Sequence, residues 1–169
     1  MEILGALSQA DEAFDKAIAA HKESLADESF DAAATPASRK KAMKESKKQF
    51  DAAIEGYTQA IDLGAPEQDE VLGCRAECYA ACGQLDKALE DATAAADLND
   101  ESDSWLMLKG QIYYAMGKTK EARECLEEAQ EINKDTQPQD DGTQAQGEAI
   151  ADALEMCDDH PWEFATRFD

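Results

Sequence analysis

The sequence predicts an all-α fold in which antiparallel helix pairs stack side by side into a solenoid, and three observations lead to it. The 169 residues are dominated by Ala, Glu, Asp, Lys and Leu, with only 9 Gly and 4 Pro, and most of these are helix formers. Long runs of Val, Ile and Thr, the residues that favour strands, are missing. Above all, the chain repeats itself. A shift of 34 residues sets segment 69–100 on 103–134 with nine identical pairs, among them Asp69/Asp103, Tyr79/Tyr113, Gly83/Gly117, Ala88/Ala122 and Asn99/Asn133. A period of about 20–50 residues is the mark of a stacked-repeat architecture.

The repeated positions define the helices. Leu72, Ala76 and Tyr79 fall three to four residues apart on one helix face. Gly83 follows where a left-handed residue would end that helix. Ala88, Ala92 and Ala95 form the stripe of a second helix, and side chains so small let two antiparallel helices approach closely. Leu106, Gly110 and Tyr113, then Gly117, then Ala122, Leu126 and Ala129 repeat the plan. Hairpins are therefore expected at 69–102 and 103–136.

The flanks are less regular. Ile3, Leu7, Ala10, Phe14, Ala17 and Leu25 trace one helical stripe, closed by Thr35-Pro36. Residues 1–35 read as an N-terminal packing helix or as a worn repeat, because Phe14-Asp15-Lys16-Ala17-Ile18 echoes Phe50-Asp51-Ala52-Ala53-Ile54. The later of these segments leads into Tyr57, Ala60 and Leu63 as the second helix of another pair. Its first helix would fall near 37–48, without the aromatic and glycine of the other two. Segment 36–68 is thus a degenerate hairpin, or 38–63 is one long helix. Residues 137–142 read as a linker. Within 143–169, Ala149, Ile150, Ala153, Leu154 and Cys157 share a helix face suited to cap the last face of a solenoid, and Trp162, Phe164 and Phe168 belong to a tail.

This arrangement resembles the tetratricopeptide repeat, with its pattern Trp-x-x-Leu-Gly-x-x-Tyr, then Ala-x-x-x-Phe, then Pro. Here the segments read Leu72-x-x-Arg75-Ala76-x-x-Tyr79 and Leu106-x-x-Lys109-Gly110-x-x-Tyr113, with Asp100 and Lys134 in place of the final proline. The resemblance implies about three repeats over 36–136 in a right-handed superhelical solenoid. It also implies a concave face, lined by the first helix of each pair, that grips peptides or helices. Alignment through Gly83, Gly117 and the Phe50 helix turns Gly73, Cys74, Glu77, Met107, Leu108, Gln111 and Tyr114 toward that groove. This surface is neutral to apolar, with an adaptable methionine. It suits an amphipathic helix or an extended apolar segment, from a partner or from the chain's own C-terminal helix or tail.

Arg75-Ala76-x-Cys78-Tyr79 and Ala88-Leu89-Glu90-Asp91 look most like chaperone-adaptor members of the family, which hold acidic C-terminal tails with a clamp of Lys, Asn, Asn, Lys and Arg. The same alignment places Ser38, Ala42, Cys74, Ser104 and Leu108 at the five clamp positions, so the charge-assisted grip on a terminal carboxylate is lost. The expected function is a protein–protein interaction scaffold or adaptor, fitted to be a small subunit of a larger assembly. The alternative is a chaperone adaptor that binds without the clamp.

Charge narrows the partners. A formal net charge of −22 argues against nucleic acid and anionic membrane surfaces. The local exception is Arg39, Lys40, Lys41, Lys44, Lys47 and Lys48, six of the 16 basic residues. They form the solvated face of one helix, a docking patch for an acidic partner, or an internal counterweight to the acidic C-terminal third. No apolar run approaches the ~18 residues of a membrane span, and Met1-Glu2-Ile3-Leu4 is too short and acidic for a signal peptide. Five cysteines without framework spacing fit the cytosol or nucleus. No enzyme, cofactor or metal is expected. His21 and His160 adjoin no serine or cysteine motif, and Cys157 and His160 lack an orienting group. Cys74, Cys78 and Cys82 share one helix, whereas zinc draws its ligands from separate elements. Gly142 and Glu148 have the spacing of a calcium loop, but Gln137, Gln139 and Gln144 are wrong for it.

Overall fold

The computed structural model describes residues 2–25, 36–135 and 141–159. These form seven helices and no strand: α1 (Glu2–Ser24), α2 (Pro36–Asp62), α3 (Gln68–Ala81), α4 (Leu85–Leu98), α5 (Asp103–Ala115), α6 (Thr119–Asp135) and α7 (Asp141–Asp159). The hairpins are α1–α2, α3–α4 and α5–α6; α2 packs on α3, α4 on α5, and α6 on α7. The core follows this order as four successive buried clusters, each shared by neighbouring helices.

Of the two arrangements left open for 36–68, a degenerate hairpin or one long helix over 38–63, the structure shows the long helix. Pro36–Asp62 is one continuous helix, and its antiparallel partner is α1. The reason is local. Gly83 and Gly117 hold φ of +72° and +74°, and the next backbone N–H groups, of Gln84 and Lys118, reach back to the Tyr79 and Tyr113 carbonyls at 2.9 Å each. That reversal favours glycine. Aligning Phe50-Asp51-x-Ala53-Ile54 on Leu85-Asp86-x-Ala88-Leu89 sets Lys48 at the glycine position, so nothing breaks the helix. Pro36, expected to terminate the N-terminal element, instead opens α2, where its missing N–H costs nothing.

The contact line of this hairpin is made of methyl groups. Ala6, Ala10, Ala13 and Ala17 are buried along α1 and meet Ala53 and Ala60 of α2. A Cβ on Gly56 would stand 2.8 Å from that of Ala10. Ser46 Oγ donates to the Ala17 carbonyl at 3.0 Å and Tyr57 Oη to Asp11 at 2.8 Å, which fixes the antiparallel register. Leu25, placed in the α1 stripe by its spacing, is 59% exposed, because α1 has ended.

The other hairpins repeat one fastening. Asn99 Nδ2 donates to Asp69 at 3.0 Å, and Asn133 Nδ2 donates to Asp103 at 2.8 Å. Two of the 34-residue identities are therefore a single device that ties the end of the second helix to the start of the first. Gly110 is required by proximity, since a Cβ there would stand 2.8 Å from Leu126 Cγ. The α7 helix includes Asp141 and Gly142, assigned by sequence to the linker; the rest of the linker and the aromatic tail from 160 lie outside the described residues. On α7, Ile150 and Cys157 are buried, Ala153 and Leu154 half-buried, and Ala149, expected on the packed face, is exposed.

Arg75 joins three helices. Its Nε and Nη2 donate to the two carboxylate oxygens of Asp91 on α4 at 2.6 and 2.8 Å, and its Nη1 donates to Thr58 Oγ1 on α2 at 3.1 Å. The guanidinium also lies 5.7 Å from the Tyr79 ring centroid. Both side chains of the ion pair are largely shielded, so removing one partner strands the other's charge. Asp91→Asn should lower unfolding free energy by about 3 kcal/mol, whereas Arg75→Met/Asp91→Leu should recover most of that loss. Urea denaturation of the two variants checks this.

Candidate partner-binding groove

An apolar cavity of about 390 Å³ opens where the first helices of the pairs converge. Ile18 of α1, Ala80 and Ala81 of α3, Leu108 and Ile112 of α5 and Ala153 of α7 supply most of its wall, and Phe50 of α2 and Leu85 of α4 reach in from behind. Gln111 and His21 are polar members of the lining, which includes no Lys, Arg, Asp or Glu. α7 thus forms one wall of the cavity.

Of the seven groove positions inferred from the repeat register, the structure brings three to this cavity. Leu108 and Tyr114 are buried in its wall, and Gln111 is exposed at it. Glu77 lies one turn before Ala80 and Ala81 on α3. It is open to solvent, yet the surrounding protein removes enough hydration to raise its carboxyl above the ordinary glutamate value. Cys74 is half-buried, near Tyr57 and Asp11. The other two positions are not in the groove. Gly73 is buried beneath Trp105, whose ring occupies the space a side chain at 73 would need; the indole Nε1 donates to Asp69 at 3.3 Å. Met107 is covered by α7, with Gln146 Nε2 3.8 Å from its sulfur. Phe50 was read as part of a second helix and Ala153 as part of a capping face, while Ile18 and His21 were missed because the register assigned the first helix to 37–48 rather than to α1. The signal available was the echo of Phe50–Ile54 in Phe14–Ile18.

None of the five clamp positions presents a cation. Ala42 and Leu108 are buried; Ser38, Cys74 and Ser104 are half-buried, and the Ser104 hydroxyl accepts from Gln146 Nε2 at 3.3 Å. In the basic stretch of α2, Lys40, Lys41, Lys44, Lys47 and Lys48 are all exposed and none lines the cavity; Lys48 sits 3.9 Å from Glu45. The Arg39 side chain lies outside the described residues.

All five cysteines are free thiols. Among the described residues no group of three or more His, Cys, Asp or Glu side chains is placed to hold a metal ion. Burial, with the nearby charges of Glu77, Asp11 and Glu70, pushes Cys74 up to about 11; burial, with Asp51, pushes Cys82 up to about 11. Cys78 is raised further, again first by burial.

Comparison with known proteins agrees with this geometry. A tetratricopeptide-repeat family model matches residues 83–147. Over that stretch the chain is similar to tetratricopeptide repeats. The crystal structure of the Sgt2 TPR domain from Aspergillus fumigatus superposes with a TM-score of 0.52 at 28% identity, over 78% of this chain and 87% of that one. In sequence, the repeat domain is 33% identical over 109 residues to the heat-shock protein cognate co-chaperone sgt12 of Aspergillus fumigatus, covering 64% of this chain and 28% of that protein. It is 30% identical over 90 residues to the serine/threonine-protein kinase BSK1 of Arabidopsis thaliana, covering 53% of this chain and 18% of the kinase. The chain therefore spans less than a third of either relative. Among the described residues no helix is long and apolar enough to cross a membrane.

The thiols give the domain an alkaline limit. A thiol whose pKa is raised by folding contributes stability that is complete below the unfolded value of 9.0 and lost as pH climbs toward the folded value of about 11. The urea midpoint should fall between pH 8 and pH 10.5, and Cys74→Ser/Cys82→Ser should flatten that fall. The thiolate is the reactive form, so labelling of Cys74 and Cys82 by iodoacetamide at pH 7.5 should be at least about tenfold slower in the folded chain than in urea.

Proposed function

We propose that this chain is a protein-interaction scaffold or adaptor whose concave groove seats an apolar or amphipathic segment of a partner protein. The observation that carries the reading is the cavity itself. It is apolar, lined by residues of all three helix pairs and of α7, and free of charged side chains in its lining. An empty hydrophobic recess of several hundred Å³ flanked by a few polar groups is the usual form of a binding site. A buried anchor side chain there would carry much of the affinity. The reading gives the chain a binding role without catalysis or cofactor, and its five free thiols fit a reducing compartment, the cytosol or nucleus.

A second reading, a chaperone adaptor that binds without the clamp, draws support from the likeness to the Aspergillus co-chaperone and to the Sgt2 domain. It has to work without cations at the clamp positions and against the repulsion a net charge of −22 exerts on an acidic tail.

Selection of random 16-residue peptides displayed on phage separates the two. The expected winners carry apolar residues at i, i+3 or i+4, and i+7, and lose binding to the Gln111→Arg variant. Calorimetry with an acidic chaperone C-terminal peptide and its C-amidated form should show no difference between the two. Tight binding that disappears on amidation would establish the second reading instead.

A further inference from the structure

The groove is not uniform along its length. Its apolar cavity lies against the C-terminal halves of α1 and α3, at Ile18, Ala80 and Ala81. Beside the cavity the same two helices carry acidic residues. Glu70 and Glu77 flank Cys74 at four residues before and three after it, on one face of α3, and Asp11 of α1 accepts from Tyr57 at 2.8 Å, which shares a core cluster with Cys74; the charges of all three bear on its thiol. Along α1, Asp11 lies about 10 Å from Ile18, seven residues on, while on α3 Glu77 lies one turn, about 5 Å, before Ala80 and Ala81. Glu70 and Glu77 are open to solvent. Burial raises the Glu77 carboxyl, and among the described residues no cation pairs with it. Arg75, two residues away, is committed to Asp91 and Thr58. A carboxylate that is partly desolvated and without a counter-charge gains most from a cation brought by a ligand.

We infer that the groove takes a basic amphipathic segment, with apolar side chains seated in the cavity and a Lys or Arg one to two helical turns away against Glu70, Glu77 and Asp11. The inference rests on the groove being the binding surface. It reverses the sign of charge that a carboxylate-gripping groove would select, and the net charge of −22 adds long-range attraction for the same class of ligand.

Four synthetic 16-residue peptides test it by fluorescence anisotropy on the full chain. One is amphipathic with leucine anchors and flanking lysines; the second has glutamates in place of the lysines. A third keeps the lysines with the anchors changed to serine, and the fourth is the first in scrambled order. The lysine amphipath should bind at least about tenfold tighter than each of the others at low salt, and its advantage over the glutamate peptide should shrink at high salt. Glu70→Gln/Glu77→Gln, both exposed and outside the core, should cut that advantage to below about threefold while anchor dependence persists. Equal binding of lysine and glutamate peptides with anchors still required would overturn the inference and leave the groove reading intact. Anchor-independent binding, equal binding of the scrambled peptide, or no binding by any peptide, as an internally filled groove would give, overturns both.

Discussion

Close approach of helices is the constraint on which this structure depends, and alanine and glycine are what permit it. Fifteen of the buried core residues are alanines, and the fully buried large side chains are few, chiefly Tyr57, Phe50, Ile112, Leu126 and Ile150. Where Gly56 meets Ala10, or Gly110 meets Leu126, one added methyl would have to displace its neighbour. The cavity follows from the same economy. Ala80, Ala81, Ala115 and Ala153 line a space too wide for their methyl groups to fill. Small residues that draw each hairpin together leave a recess where three hairpins and α7 converge, so the cavity is a by-product of how the pairs are packed.

Most of the helical plan was legible because it is periodic. The 34-residue identities located α3 to α6, and the structure gives several of them causes: Asp69 and Asp103 receive Asn99 and Asn133, and Gly83 and Gly117 carry the left-handed turns. The first hairpin was harder to read because its signal is an absence. Only with Lys48 aligned on Gly83 does it become clear that a helix with no turn residue must run on, leaving α1 as its partner. The buried alanines of α1 also score poorly as a hydrophobic stripe, so Leu25 was drawn into it while Ala6 and Ala13 were passed over.

The groove was half legible for a different reason. Helical spacing states which residues share a face, but not what comes to lie on that face. Gly73 and Met107 have the register of groove residues, yet Trp105 covers the first and Gln146 comes up against the second. Both coverings come from other elements, at separations of 32 and 39 residues, which no local pattern encodes. Glu77 was placed by register, but the burial that raises its carboxyl and the charges it shares with Asp11 and Glu70 around Cys74 depend on α2 joining α1 to α3.

The location of the cavity also bears on how binding would act on the fold. A solenoid has only nearest-neighbour contacts, and its stability is a sum over units and the interfaces between them. α1 packs mainly on α2, and α7 on α6 and α5, so the two ends of the described chain are joined through a series of interfaces. Ile18 and Ala153 nevertheless face the same recess. A segment seated there would touch both, adding a contact that skips the intervening units. Such a ligand binds only the state in which those units are stacked. It therefore stabilises them in proportion to its affinity and makes the array melt more nearly as one unit. The same geometry makes the groove sensitive to distant faults, because a slip at any interface between α1 and α7 changes the spacing of its walls.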